Sequence, residues 1–329
     1  MKLTNTQLAA AIASFIPLCS AYPKLIIAGG TNVAPKISSQ FSELRGWTGY
    51  IDPLLNVSVI SSQTIPNASV RTTFQTGSWE RTMRLLKKDD FVVLEYGLDD
   101  EGDPQNKPKN GSLNLRASLP GTGDETVTVR YEVIDTVQLP NGTTQVVKGS
   151  ARNVTEVVHT FGWYLKNMIV DVRDQEAHVI ISSRIPNNWE TVKAAGNKTI
   201  DTLATEYKLR DYAQKVAEEI KAEFVDHTYY TLRYLQELGP VESKKLYGYR
   251  PEPGQEIEKK LYTNVKGAKG MADSSMLPNF ALLHHPHFTS SLSPTTTLRT
   301  LLPNLAGLKH QLSHQSFPLH FSLTARKLR

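Results

Sequence analysis

The chain has 329 residues, of which 40% are hydrophobic and 21% are charged, and its formal net charge is +5 at pH 7. This composition is ordinary for a soluble globular protein, is too polar for a membrane protein and excludes disorder of the whole chain. The basic excess lies at the two ends, because residues 1–21 and 274–329 together hold six basic residues and no acidic one. Without these six the charge is −1, so we expect no nucleic-acid partner.

The first 21 residues have the pattern of a secretory signal peptide. Lys2 is followed by an apolar run from Leu8 to Leu18 and then by small residues up to Ala21. The apolar run is too short to span a bilayer, so we expect a secreted, extracellular protein with no membrane partner. Cys19 is the only cysteine and leaves with the signal, so the mature chain has no disulfide and no catalytic thiolate.

N-glycosylation sequons support the same compartment. Each has a non-proline residue and then Ser or Thr after the asparagine, which is the acceptor pattern of secreted glycoproteins. The six acceptors are Asn56, Asn67, Asn110, Asn141, Asn153 and Asn197. We therefore predict a glycoprotein.

Short β-branched apolar runs predict five buried strands. Apolar residues at helical spacing predict one long helix from Val154 to Val172 and a second from Leu209 to Ile220. Because strands and helices alternate, we expect an α/β fold with a parallel sheet covered on both faces. The predicted strands are Lys24–Ala28, Val57–Ile60, Phe91–Tyr96, Val179–Ser182 and Glu223–Val225.

Two segments interrupt the predicted domain, which covers residues 22–276. Residues 103–150 are rich in Gly, Pro, Asn and Lys, and they contain a strand-like run at Thr126–Val133 and a hairpin turn at Asn141-Gly142. We read them as an insertion that roofs the crevice at the carboxyl ends of the strands. Residues 277–329 form a basic, low-complexity tail, which is either a surface-binding segment, a disordered extension or a segment outside the true gene.

Several segments together resemble one enzyme family. They are LIIAGGTNVA, FVVLEYGLDD, SLPGTGDETVTV, EVVHTFGWYLKNMI and VIISSRIPNNWE. Residues 23 to about 275 resemble the rhamnogalacturonan acetylesterases, a branch of the SGNH or GDSL hydrolases. The resemblance implies a three-layer, flavodoxin-like α/β/α fold with a central parallel five-stranded sheet. It also implies a monomeric enzyme without a cofactor or metal that removes acetyl groups from pectin with Ser, His, Asp and an oxyanion hole.

The resemblance places substituted residues at the nucleophile and the oxyanion hole. Where the family has Ala-Gly-Asp-Ser-Thr, this chain reads Ala-Gly-Gly-Thr-Asn, so Thr31 stands at the nucleophile position. As an alternative, Thr31 is a helix N-cap. At the oxyanion hole, Asn67 replaces a glycine and Asp99 replaces an asparagine. A carboxylate repels the oxyanion that an amide would stabilise.

The positions of the acid and the base are also substituted. Where the family has Asp-x-x-His, this chain has Lys259 as the acid position and Tyr262 as the base position. The histidines before the tail, His159, His178 and His227, we interpret as structural or solvated. Loss of a hydrolase triad costs roughly a millionfold in rate.

These substitutions predict a non-catalytic protein that binds acetylated rhamnogalacturonan or another cell-wall carbohydrate. The alternative is an active polysaccharide deacetylase in which Thr31 works with Lys259 or Lys260 as a non-standard base. Trp189 either stacks on a sugar or packs in the core. The cleft candidates are Asn32, Asp100, Asn187, Asn188 and Trp189, beside the substituted positions.

Overall fold

A computed structural model describes most of the predicted domain. The predicted signal peptide lies outside the described residues, as do residues 280–329 of the tail, Lys259 and the acceptors Asn56, Asn110, Asn141 and Asn197. Within the described residues, no helix combines the length and the apolar character needed to cross a membrane. The described ranges are 23–36, 44–51, 58–105, 115–133, 136–138, 144–147, 149, 151–194, 198–248 and 262–279.

The core of the fold is a five-stranded parallel sheet, as predicted. Its strands in chain order are β1 (Lys24–Gly29), β2 (Ser58–Thr64), β3 (Phe91–Glu95), β4 (His178–Ser182) and β5 (Glu223–Val225). Their spatial order is β5-β4-β3-β1-β2, and every neighbouring pair is parallel. The chain order reverses between β1 and β3, so the loops after these strands converge on one crevice.

Helices flank this sheet, which confirms the α/β class. On one face, Ile26, Val92 and Ile181 join a buried cluster with residues of the helices, including Leu165 and Val216. Leu25, Ile27 and Val93 alternate with them along the strands and are buried toward the opposite face. The helices are α1 (Val70–Gln75), α2 (Ser78–Leu85), α3 (Phe161–Asp174), α4 (Lys208–Ile220), α5 (His227–Ser243) and α6 (Val265–Asn279).

The long helix predicted from Val154 is wrong over its first part. Arg152–His159 is a strand that pairs antiparallel with Thr126–Val133, and the predicted insertion therefore extends beyond residue 150. Val154 and Glu156 are partly buried and Val158 is fully buried, while their neighbours Asn153, Thr155 and Val157 are exposed, so burial has a period of two, which fits a strand once a partner is present. Helix α3 starts after Thr160, whose hydroxyl accepts the Trp163 N–H at 3.0 Å.

Other hairpins surround the sheet. Thr136–Gln138 and Thr144–Val146 pair antiparallel on either side of the predicted turn, whose residues Asn141 and Gly142 lie outside the described ranges. A second antiparallel pair joins Glu190–Lys193 to Thr199–Thr202, in the connection that follows β4. The described part of the insertion up to residue 150 thus contains three strands, Thr126–Val133, Thr136–Gln138 and Thr144–Val146.

A buried ion pair fastens the insertion to helix α1. Arg71 is fully buried, and its guanidinium binds both carboxylate oxygens of Glu156, with Nε 2.8 Å from Oε1. Its third nitrogen, Nη1, donates to the carbonyl oxygen of Ala117 at 3.0 Å. Tyr131 donates its hydroxyl to the same carboxylate at 3.2 Å. Arg71 therefore holds the backbone of the insertion at Ala117, the residue after Arg116.

A second carboxylate joins the loop after β3 to the start of α1. Asp100 is 1% exposed and accepts the Val70 N–H on one oxygen and the Gly97 N–H on the other, each at 2.9 Å. Burial raises the pKa of the Asp100 carboxyl well above its usual range; the two N–H groups oppose this rise and the nearby Asp99 carboxylate adds to it. Asp100 therefore holds two walls of the crevice together.

Removing the charge of Glu156 should destabilise the fold. In Glu156→Gln, the buried Arg71 keeps its charge without a carboxylate partner, and we expect a loss of about 3 kcal/mol in the free energy of unfolding. Urea unfolding followed by circular dichroism measures it. Glu176→Gln is the matched control, since the Glu176 and Lys88 side chains of that ion pair are 67% and 62% exposed. We expect no measurable change there, and equal midpoints for the two variants would contradict the prediction.

Asp100 should also make the unfolding free energy depend on pH. Because its pKa is raised in the folded state, that state binds the proton more tightly than the unfolded chain does. The contribution of Asp100 therefore falls as pH rises from the ordinary pKa of 3.8 through the higher folded value, and is constant above it.

Asp100→Asn removes this titration. The unfolding free energy of the native protein minus that of Asp100→Asn should fall as the pH of the urea series is raised. The control is Asp124→Asn, at an exposed position, which should leave the pH dependence unchanged. Parallel curves for the native protein and Asp100→Asn would refute the assignment.

Candidate active site

Thr31 lies in the turn that follows β1, at the carboxyl edge of the sheet. Its side chain is fully buried, with 0% exposure. The turn is held by the Val33 and Ala34 N–H groups, which donate to the carbonyl oxygen of Gly30 at 3.2 Å each. No helix begins at Thr31 within the described residues, so the alternative of a helix N-cap does not apply there. The hydroxyl is therefore available for contacts inside the crevice.

The structure brings together the three substituted positions at Thr31, Asn67 and Asp99. The Thr31 hydroxyl donates to Asp99 Oδ2 at 2.6 Å, and the Thr31 backbone N–H approaches the same oxygen at 3.3 Å. The Asn67 backbone N–H in turn donates to Thr31 Oγ1 at 2.8 Å. Asn67 adopts a left-handed backbone with φ 64°, which asparagine tolerates better than most residues. Both hydrogen bonds of the Thr31 hydroxyl thus lie within this group.

Arg116, which the sequence analysis did not identify, completes the group. Its Nη1 donates to Asp99 Oδ1 at 3.1 Å and to Asn67 Oδ1 at 3.3 Å. The Arg116 side chain is 40% exposed and that of Asp99 only 4%, so the guanidinium covers the carboxylate from the solvent side. Arg116 lies two residues before the SLPGTGDETVTV segment, and the Arg71 contact with Ala117 helps to hold this loop at the crevice.

Burial has the largest effect on the pKa of the Asp99 carboxyl. It raises the pKa of the Asp99 carboxyl, while the Thr31 hydroxyl and the Arg116 guanidinium act in the opposite direction by stabilising the ionised form. A carboxylate accepts hydrogen bonds and donates none. Asp99 therefore presents an acceptor to Thr31, where ester hydrolysis requires donors for a developing oxyanion.

Gly30 makes room for this carboxylate. A Cβ atom at Gly30 would lie 2.6 Å from the carbonyl oxygen of Ala68 and 3.0 Å from Asp99 Oδ2. An aspartate, which the resemblance places at this position, therefore does not fit in the present arrangement. The glycine at position 30 and the aspartate at position 99 are sterically coupled.

Tyr262, at the predicted base position, is 5% exposed and packs with Leu44 and Leu98 in a small apolar cluster. Its neighbour Thr263 donates its backbone N–H to Asn32 Oδ1 at 3.3 Å. Asn32 is itself only 4% exposed, so this cleft candidate joins the turn after β1 to the chain near the C-terminal helix. Lys259, the predicted acid position, lies outside the described residues.

The three histidines have structural contacts away from Thr31. His159 stacks on Trp163 with ring centroids 3.7 Å apart, and it lies on a strand, which corrects its predicted helical position. His178 begins β4 and stacks on Phe91. In these places the imidazoles are packing groups.

His227 is 1% exposed and sits in a buried polar network beneath the crevice. Its Nδ1 lies 2.8 Å from Glu95 Oε2, which also accepts the Ser182 hydroxyl at 2.7 Å, and Trp47 Nε1 donates to Oε1 at 3.1 Å. The network joins the ends of β3, β4 and β5 to the turn at Trp47. In the part of the chain that the structure describes, no cluster of His, Cys, Asp or Glu is arranged to hold a metal ion.

The cleft candidates after β4 have their polar groups tied to neighbouring elements. Asn188 donates to the carbonyl oxygen of Ser243 at 3.0 Å, and Trp189 Nε1 donates to that of Leu235 at 3.1 Å. Asn187 donates its backbone N–H to the Tyr207 hydroxyl at 2.9 Å. Asn187 and Trp189 remain partly exposed, whereas Asn188 is buried. These contacts anchor the loop to α5, and the Trp189 ring is the aromatic surface that it offers.

Two of the predicted glycosylation acceptors lie in the described residues. Asn153 is exposed on its strand, as an acceptor requires. Asn67 is partly buried and bonded to Arg116, and the Ser69 hydroxyl of its sequon is buried as the N-cap of α1, accepting the Thr72 N–H at 3.1 Å. Only Asn153 thus presents its whole sequon on the surface.

The chain was compared with known proteins, and one of them is similar to most of it. No family model matches the chain. A rhamnogalacturonan acetylesterase from Emericella nidulans is 29% identical over 240 residues, which cover 72% of this chain and 79% of that protein.

Two solved structures match the chain at low sequence identity. A Bacillus subtilis protein has a TM-score of 0.49 and 16% identity, and the match covers 78% of this chain but only 55% of that protein. An acetylxylan esterase from Geobacillus stearothermophilus has a TM-score of 0.44 and 13% identity over 77% of this chain and 92% of its own. The resemblance that the motifs indicated is confirmed by the Emericella protein: most of this chain is similar to a rhamnogalacturonan acetylesterase.

Proposed function

We propose that this protein is a secreted, non-catalytic relative of the acetylesterases that binds pectic or other cell-wall carbohydrate. The observation that carries the proposal is the 2.6 Å hydrogen bond from the Thr31 hydroxyl to the Asp99 carboxylate. It places an acceptor beside the nucleophile position, and among the described residues the partners of the Thr31 hydroxyl are Asp99 and the Asn67 N–H rather than an imidazole. The relative's name, rhamnogalacturonan acetylesterase, supports the ligand class.

Ester hydrolysis needs a base for the nucleophile and free donors for the oxyanion. A hydroxyl attacks only when a base removes its proton, and the tetrahedral intermediate forms only where donors face its oxyanion. Here the backbone N–H groups of Thr31 and Asn67 are already engaged with Asp99 and with the Thr31 hydroxyl itself. With both features altered, a rate reduction of roughly a millionfold is expected.

The first test is acetate release from acetylated rhamnogalacturonan. We expect the native protein and Thr31→Ala to show the same background rate, because the hydroxyl takes no part in hydrolysis. The Emericella enzyme in the same assay serves as the positive control, and circular dichroism verifies that the variant is folded. Acetate release that disappears in Thr31→Ala would exclude a non-catalytic role.

An active deacetylase is the second candidate, and the same contact favours it. Lysine bases at positions 259 or 260 lie outside the described residues, whereas the carboxylate of Asp99 is in direct contact with the Thr31 hydroxyl. Its raised pKa makes Asp99 a stronger base than an exposed aspartate. In that case Asp99→Asn would abolish acetate release together with Thr31→Ala, whereas the non-catalytic proposal expects no change in either variant.

Binding should involve the partly exposed ring of Trp189. Trp189→Ala removes an aromatic face and should weaken binding of a pectic oligosaccharide by about tenfold, from a stacking contribution of roughly 1–2 kcal/mol. Trp189→Phe, which keeps an aromatic ring, should retain most of the affinity. Isothermal titration calorimetry measures both, and equal affinities for the native protein and Trp189→Ala would contradict this contact.

A further inference from the structure

At the solvent-facing end of the site, a hydrogen-bond donor, the Arg116 guanidinium, lies beside an acceptor, the Asp99 carboxylate. Asp99 Oδ2 is occupied by the Thr31 hydroxyl and N–H, while Asp99 Oδ1 receives the Arg116 guanidinium at 3.1 Å. Each carboxylate oxygen accepts about two hydrogen bonds, so Oδ1 has capacity for one more donor. The half-exposed Arg116 and the partly exposed Asn67 amide stand at its rim. An incoming polar group therefore meets the Arg116 guanidinium first and, beside it, the 4% of the Asp99 side chain that is exposed.

A sugar hydroxyl and an acetyl ester differ in what they offer such a pair. A hydroxyl both donates and accepts, so it donates to the carboxylate and accepts from the guanidinium. An ester carbonyl only accepts, and it would bring its oxygen lone pairs against the charged carboxylate. The acetyl group also adds bulk at a crevice where Thr31 is fully buried and Asp99 nearly so.

We propose that Asp99 and Arg116 form a subsite for an unsubstituted sugar hydroxyl, so that the protein selects the deacetylated form of its polysaccharide over the acetylated form. This inference rests on the proposed carbohydrate-binding function and specifies its ligand. The site thus recognises the product of an acetylesterase reaction.

Replacing the carboxylate by an amide should remove the selection. Asp99→Asn has nearly the same shape, but its NH₂ group donates to an ester carbonyl and its neutral oxygen no longer repels one. Arg116→Gln removes the guanidinium at a half-exposed position, where a substitution is tolerated better, and should weaken binding of the deacetylated form. Asp124→Asn, an exposed carboxylate of the same insertion, is the matched control.

The experiment is calorimetric titration with one rhamnogalacturonan oligosaccharide preparation, used before and after removal of its acetyl groups with mild base. The native protein should bind the deacetylated form about tenfold more tightly, as expected for one hydrogen bond to a charged group. Asp124→Asn should keep this ratio, and Asp99→Asn should bring it close to one. Circular dichroism confirms that each variant is folded.

The outcomes separate the two proposals. Equal affinities of the native protein for both forms, or tighter binding of the acetylated form, would overturn the hydroxyl subsite and leave carbohydrate binding intact. If the native protein binds neither form, the carbohydrate-binding function itself is wrong. The comparison of the two forms with the native protein alone is decisive, so it holds even if Asp99→Asn does not fold.

Discussion

The buried carboxylate of Asp99 is the group around which the crevice is arranged. It accepts the hydroxyl and the N–H of Thr31, and it requires the Arg116 cation on its solvent side to offset the cost of burial. Together with the backbone oxygen of Ala68, which is the nearer atom, it leaves no room for a side chain at position 30. One acceptor at this place therefore accounts for the hydrogen bonding of Thr31 and for the position of Arg116.

The surrounding structure keeps these groups in place with further buried polar contacts. The Arg71–Glu156 pair holds the insertion against α1, and Asp100 joins the same helix to the loop after β3. Such buried pairs add little net stability compared with apolar packing, but breaking one is costly because the partner is left unpaired. Beneath the crevice, Glu95 ties together Trp47, Ser182 and His227. These contacts fix the loops after β1, β3 and β4 around the crevice in which Thr31 and Asp99 lie.

Under the proposed function, the polarity of the site separates hydroxyl recognition from ester hydrolysis. Catalysis of acyl transfer depends on donors placed where negative charge develops. Recognition of a hydroxyl depends on an acceptor with a donor beside it, which is the arrangement of Asp99 and Arg116. The same fold supports either requirement, because function resides in the few side chains at the carboxyl edge of the sheet. Replacing an amide by a carboxylate reverses the polarity of the site without disturbing the sheet.

The sequence by itself was enough to predict the five strands and helix α4 and to indicate the resemblance to the acetylesterases. This is because burial patterns and motifs are local along the chain. It did not distinguish a strand from a helix at Arg152–His159, because apolar residues there fit both periods and the partner strand decides. The tertiary structure alone revealed Arg116 and the buried role of Asp100. The Thr31–Asp99 bond joins residues 68 positions apart, and such contacts depend on how strands and loops meet in space, which no local pattern records.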